Sequence, residues 1–344
     1  MISLVIINFR SAALAADAVR AARANTSAPL EVVIVDNSCD QREVDALRGI
    51  ADTLIVSETN RGYAGGINAG RLSCTGSTIV VSNPDVVFAP QALDLLAGAL
   101  GPRVAVAGPA LFWDEGHQWR LPPGELLTAP QKLDEILAGR SREWAALRDR
   151  RRIRRRVAFW SLASTTPVRM LSGAVLAIRA EDFDEMDGFD DRFSLYFEET
   201  DFLRRVMARR KRAVLVPEAR CRHIYNQSAA QTGSAAGDRY ADSELKYLEK
   251  WNGPFLGRVL KRLERALPVV EPSHRTGPIP IEDPRVLIEL SPLASFATAA
   301  GHFPATGTVA VPGEVLASVG AGPLYLRVVD RDTARVLATY KITP

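Results

Sequence analysis

Cysteine is scarce in this 344-residue chain: Cys39, Cys74 and Cys221 are odd in number and scattered. That excludes a disulfide framework and a cysteine-built zinc cluster, and fits a reducing, cytoplasmic setting. No stretch reaches the roughly 18 uninterrupted apolar residues that read as a membrane-spanning helix. The N-terminal segment, Met1 to Arg20, has no positively charged leader and too short an apolar run for a signal peptide, so a soluble or peripheral protein is expected. Charge of one sign is also missing in bulk. The 43 Lys+Arg and 40 Asp+Glu leave a net +3, which supports no overall polyanion-binding surface, and no nucleic-acid partner is expected. The glycine-dense segment 60–70 lacks both the GxGxxG spacing of dinucleotide folds and the GK[ST] ending of a P-loop. No internal repeat is visible.

What is present is an alternation of buried strands and helices. Ile2 to Ile7, Leu30 to Val35, Thr53 to Val56, Thr78 to Ser82 and Val104 to Ala107 are short, apolar, β-branched runs of the kind that fill a parallel sheet. Ser11 is placed to cap a helix ending near Asn25, a second helix is expected over Glu43 to Gly49, and Pro90 is placed at the first position of another. This order predicts an open parallel α/β sheet, whose ligands bind at the carboxyl ends of its strands. Asp36, the Asn60 loop and Asp85 all fall at such ends.

Residues 112–168 interrupt the alternation as an insert in a first unit spanning 1–240. The insert holds a helix expected over Gln131 to Arg152 and a run, Arg148 to Arg156, with seven arginines in nine residues. Such a run repels itself and needs an anionic partner. A helical segment follows over 241–267, in which Phe255, Leu256, Val259, Leu260, Leu263 and Leu267 share one face and Arg258, Lys261, Arg262 and Arg265 the other. That face either packs on the first unit or rests on an anionic membrane leaflet. Five prolines mark 268–284 as a linker. Residues 285–344 read as a small β domain, with period-two alternation at Val286 to Leu290 and Tyr325 to Ile342.

The segment Ser172 to Asp201 carries the chemistry. Ser172-Gly173 lead into an apolar strand, and Phe189, Phe193, Tyr196 and Phe197 bring apolar bulk to Glu198, Glu199 and Asp201. Partial burial raises a carboxylate's pKa toward values useful to a general base. Asp201, inside the first turn of the following helix, is expected to serve the helix N-terminus. Glu198 and Glu199, being adjacent, are expected to point apart.

In order, Asp36-Asn37-Ser38, then Asn60 to Asn68, then Asn83-Pro84-Asp85, Ser172-Gly173, Gly188-Phe189-Asp190 and Glu198 to Asp201 make a set. That set resembles the family 2 glycosyltransferases of GT-A fold, and most closely the bacterial rhamnosyltransferases that build surface polysaccharide. The resemblance covers about residues 2–228. It implies an inverting transferase that moves a sugar, rhamnose above others, from a dTDP- or UDP-sugar to a glycan or lipid-linked acceptor. It places Asn8, Asp36, Asn60, Gly62, Asn68, Asn83, Asp85 and Gly173 on the donor, with Asp36 accepting the imide N–H of the base. Asp85 and His223 would bind Mg²⁺ or Mn²⁺ on the diphosphate. Glu199 would be the general base, with Glu198 and Asp201 on the acceptor side or in support. The sequence departs from the family pattern in two places. Asn83 stands where the first carboxylate of the DxD-type motif is common, and Glu199 stands where Asp is commoner. Two other classes use similar parts: a sugar-1-phosphate nucleotidyltransferase, whose glycine-rich basic signature is missing at Ile6 to Leu14, and a non-catalytic sugar-nucleotide or glycan binder.

Overall fold

A computed structural model describes residues 1–224, 234–268, 272–275, 277–320 and 322–342. The end of the family resemblance (225–228) and part of the proline-rich stretch (269–271 and 276) lie outside the described residues.

The chain opens with β1 (Ile2–Asn8), α1 (Ala12–Asn25), β2 (Leu30–Asp36), α2 (Gln41–Leu47), β3 (Thr53–Val56), α3 (Gly62–Arg71) and β4 (Thr78–Ser82). The strands lie parallel in the order β3-β2-β1-β4. β1 and β4 are buried at every position because helices cover both faces, which is why their sequences are unbroken apolar runs. Ser11 sits at the N-cap of α1 without capping it: its hydroxyl donates to Asn8 Oδ1, and Glu43 Oε2 takes the Ala12 N–H at 2.9 Å.

Next come β5 (Val86–Phe88), α4 (Ala92–Gly98) and β6 (Val104–Phe112). Pro90 precedes α4 rather than opening it. The helix is entered through Gln91 at φ +62, whose N–H is held by Asn25 O at 2.8 Å. The insert holds two helices where one was expected, α5 (Ala129–Ala138) and α6 (Arg142–Trp160), followed by β7 (Thr166–Val168). The break falls at Gly139, where a Cβ would lie 1.9 Å from Arg265 O, and Ser141 restarts the helix by accepting from Trp144 N.

The sheet resumes with β8 (Val175–Arg179), α7 (Ala180–Glu185), α8 (Glu198–Ala208) and β9 (Arg212–His223). β8 runs antiparallel between β4 and β6, β9 is parallel to β6, and β5 and β7 pair antiparallel with β9. The nine-stranded sheet is therefore mostly, not wholly, parallel. Helices α9 (Ser234–Asn252) and α10 (Pro254–Arg262) pack beside α5, with Leu248, Leu260 and Ile136 between them.

The C-terminal part holds β10 (Ser273–Arg275), β11 (Ile279–Ile281), β12 (Val286–Ser291), β13 (Ala300–His302), β14 (Gly307–Val309), α11 (Gly313–Val319), β15 (Leu324–Asp330) and β16 (Val336–Ile342). Five of these strands form a sheet in the order β10-β16-β15-β12-β13. β10 and β11 fall inside the stretch read as linker. β12 does not alternate in burial; all six residues are buried because both faces are covered. One face, through Ile288, Leu290 and Leu326, shares a single core with Leu4, Ala107, Trp113 and Trp119 of the nine-stranded part. The other face packs Leu287 and Val329 on Ile153 and Trp160 of α6.

This packing answers the arginine run. Arg156 meets Glu289 at 2.9 Å, Arg327 meets the other Glu289 oxygen and Asp149 at 2.7 Å, and Asp149 also takes Arg152 at 2.6 Å. Arg148 and Arg151 pair with Asp134. The chain itself supplies anions to five of the seven arginines; Arg150 and Arg154 make no ion pair among the described residues.

Candidate active site

A cavity of about 300 Å³ opens at the carboxyl ends of β1, β2 and β4, walled on the far side by the start of α8. Ile7, Phe9, Asn37, Asn60, Gly62, Asn83 and His223 line one side, and Gly173, Tyr196, Glu198, Glu199 and Arg239 the other.

Asp36 ends β2 fully buried, and its Oδ1 accepts from Asn8 Nδ2 at 2.8 Å. Its Oδ2 is buried with no protein partner, an acceptor held ready for a donor that the chain does not supply. Asn8, expected on the donor, has its polar atoms engaged inside the protein. Its Nδ2 faces Asp36, Ser38 and Glu43, and its Oδ1 takes the Ser11 N–H and hydroxyl. It orients Asp36.

Asn60 Oδ1 accepts from Gly62 N at 2.8 Å, folding the loop into α3. Gly62 has φ +72, and a Cβ there would lie 2.5 Å from Ser194 O, so only glycine lets this loop meet the 194 turn. Asn68, also expected on the donor, lies away from the cavity. It brackets the Phe189 backbone through both side-chain atoms, at 2.8 and 2.9 Å, holding the Gly188-Phe189 turn.

Asp85 follows β4, almost fully buried, with its Oδ1 3.2 Å from His223 Nε2 at the end of β9. That oxygen makes no hydrogen bond within the chain. Asn83 Nδ2 lies 3.5 Å from the same imidazole nitrogen. A hard carboxylate oxygen and an imidazole nitrogen converging on one point suit a divalent ion that draws its remaining ligands from phosphate and water. Among the described residues, the one cluster of three acids within ligand distance is Glu135, Glu244 and Glu264, and it is filled by Lys132, whose ammonium lies 3.1, 2.6 and 2.7 Å from them. That cage ties α5 to α9 and is no metal centre.

Glu198 and Glu199 open α8 and both line the cavity, rather than pointing apart. The reason is the backbone before them. Tyr196 and Phe197 both take φ +69, a strained pair of left-handed residues that swings the helix start inward. Helix α9 holds this turn: Tyr240 and Tyr247 pack on Phe197 at 5.3 and 5.2 Å, and Ser243 donates to Leu195 O at 2.8 Å. Burial pushes the Glu198 carboxyl well above its usual range, and the Glu199 charge adds to it; Glu198 Oε2 has no partner. Burial also raises Glu199, opposed by the Thr200 hydroxyl, which donates at 3.0 Å. Gly173 leaves room for Glu199, since a Cβ there would come within 3.1 Å of its Cγ. Asp201 is not spent on its own helix terminus. It is buried and takes Arg205 at 2.8 Å, Lys250 at 2.6 Å and the Trp251 indole at 2.8 Å, locking α8 to α9.

Asn37 and Tyr63, which fall inside the ordered series but were given no role, line the cavity, as does Arg239, which lies outside it. Tyr63 donates to Gly173 O at 3.2 Å, and its phenol is pushed well up by burial and then by Glu198, Glu199 and Asp85, so the acids on both sides of the cavity act on it. The glycine-rich helix hid it, and Arg239 stands on a helix remote in sequence from the strands.

The site thus combines an open, mostly parallel sheet, an antiparallel strand at its centre, and carboxylates facing a cavity at the strand ends. The chain belongs to the family described as "Glycosyltransferase like family 2", whose model matches residues 1–236. Among characterised proteins it is similar to the N-acetylglucosaminyl-diphospho-decaprenol L-rhamnosyltransferase of Mycobacterium tuberculosis (strains CDC 1551 / Oshkosh and ATCC 25618 / H37Rv). The identity is 25% over 223 residues, 58% of this chain and 67% of the relative. Among solved structures, GalNAc-T7 with UDP, GalNAc and Mn²⁺ superposes with a TM-score of 0.50 at 15% identity, over 76% of this chain and 53% of that one. The mannosyltransferase PcManGT from Pyrobaculum calidifontis, in complex with GDP-Man and Mn²⁺, gives 0.47 at 15% identity, over 76% and 68%. Membership in the family sets aside the nucleotidyltransferase and the non-catalytic binder.

Proposed function

We propose that this glycosyltransferase moves L-rhamnose from a dTDP- or UDP-sugar to a lipid-linked saccharide or growing glycan, with inversion, in surface-polysaccharide synthesis at the inner face of the cell membrane. The observation that carries the reading is one cavity with two chemically different walls: Asp85 and His223 3.2 Å apart behind one, Glu198 and Glu199 on the other. The sugar and acceptor follow the printed name of the mycobacterial relative.

The orphaned Oδ2 of Asp36 accepts the imide N–H of the uracil or thymine base, and Asn8 keeps that carboxylate aimed. Asn60, Gly62, Asn83 and Gly173 shape the donor side. Asp85 and His223 would hold Mg²⁺ or Mn²⁺, which when bound would offset the charge of the departing nucleoside diphosphate. The acceptor hydroxyl oxygen forms its bond to the anomeric carbon as the bond to the diphosphate oxygen breaks, and Glu199 takes the hydroxyl proton. The reading is tested by following nucleotide release with candidate donors and acceptors. Asp85→Ala should abolish turnover and weaken metal-dependent nucleotide binding with the fold intact, and His223→Ala should do so more mildly. Full activity in EDTA would remove the metal from the scheme.

A further inference from the structure

The face of α10 that the sequence left with two fates is only half packed. Leu260 is buried against Ile136 and Leu248, while Phe255 is 82% exposed and Leu256 and Leu263 are also open. Leu133 on α5 and Trp144 and Leu147 on α6 are exposed as well. Six of the thirteen exposed large hydrophobic side chains among the described residues thus lie on these three helices.

The helices form one surface. Arg140, just after α5, donates to Leu263 O at 3.0 Å, and the Trp144 indole donates to Asp134 of α5 at 2.8 Å. Around this apolar ground stand Arg140, Arg142, Arg262 and Arg265, none of which makes an ion pair among the described residues. Most of the basic run deeper in α6, by contrast, is neutralised by the chain. Apolar side chains ringed by uncompensated arginines match a leaflet carrying anionic headgroups, where each such residue strengthens binding and the apolar groups enter the acyl boundary. A second copy of the chain fits less well, because a two-fold contact would set these arginines against their own copies.

We infer that α10, with the adjoining ends of α5 and α6, is a membrane-docking face for an anionic phospholipid surface. The face is rigidly joined to the cavity. Lys261 of α10 and Lys132 of α5 share Glu244 of α9, and α9 carries Arg239 and Tyr240 to the site. Docking there would bring a lipid-borne acceptor to the helix that braces Glu199. The docking itself requires neither rhamnose nor a particular nucleotide.

The test is flotation of the full chain with vesicles of phosphatidylcholine alone or mixed with phosphatidylglycerol, at low and high salt and with no sugar donor. Recovery should be high on the anionic vesicles at low salt, low on the neutral ones, and lost at high salt. Phe255→Glu should lower recovery about tenfold or more, since it removes an inserted ring and adds a repelled charge. Arg262→Glu should lower it by a similar factor. Both residues are exposed, so melting curves and donor binding should match the parent chain. Equal recovery on neutral and anionic vesicles, or unaltered binding by both variants, would overturn the assignment. So would a dimer in light scattering that Phe255→Glu separates while no vesicle is bound, which would give the face to a second copy. Because no donor is present, failure of the sugar assignment leaves this result readable.

Discussion

Glu198 and Glu199 are neighbours both in the chain and in the cavity, and their surroundings separate their work. Glu198 is buried and its carboxyl is held protonated to well above the ordinary range; Glu199 keeps surface open to the cavity. Glu199→Gln, nearly isosteric and unable to accept a proton, should lower kcat by about 10²–10⁴-fold with donor affinity little changed. Glu198→Gln should cost less. The pH profile supplies a second readout. A base must be ionised, and burial raises the Glu199 pKa, so the rate should fall as acidity rises through a pH higher than an ordinary glutamate would give. That limb should vanish in the Gln variant. A near-normal kcat with the limb intact would pass the role to another acid. Which asparagines line the cavity was not legible at this scale. Asn8 and Asn68 were expected on the donor together with Asn60 and Asn83, but a side-chain amide looks the same in sequence whether it faces a cavity or the protein's own groups.

At the scale of elements, the first four strands were legible because each is a short apolar run, buried throughout in β1 and β4 and half-exposed in β3 at the sheet edge. The direction of β8 was not, since a buried strand reads alike in either sense. Nor was the break between α5 and α6, which depends on Arg265 O lying where a side chain at 139 would stand, 126 residues away in sequence. The Lys132 cage was hidden for the same reason: its partners come from α9 and the end of α10. Burial and three carboxylates act in opposite senses on that lysine, and the carboxylates win, so it stays charged throughout the physiological range. Lys132→Met should therefore remove the one cation that Glu135, Glu244 and Glu264 share, leaving them Arg148 and Lys261 at the rim, and destabilise the chain by about 3–5 kcal/mol, the cost typical of removing one partner of a buried pair. Urea unfolding with an unchanged midpoint would refute it. The loss should also loosen the turn at Tyr196-Phe197, which α9 holds.

For the whole molecule, composition and alternation disclosed a catalytic sheet followed by a small β part, but not that the two share one core. Arg327→Met tests the joint. It strips Asp149 and the fully buried Glu289 of a common partner, and a loss of about 3–5 kcal/mol with one cooperative transition is expected. Separate melting of two units, with only the C-terminal one affected, would count against a common core. The joint has a further consequence for how such a chain can change over generations. The family's extent, ending at 236, is not where this protein can be divided. This portion joined to a relative's tail would leave Arg152 and Arg156 facing a surface without Glu289 and Arg327. Each of these four positions is hostage to the others, so heredity should keep or exchange them together, and the tail should drift only as fast as the arginine helix permits.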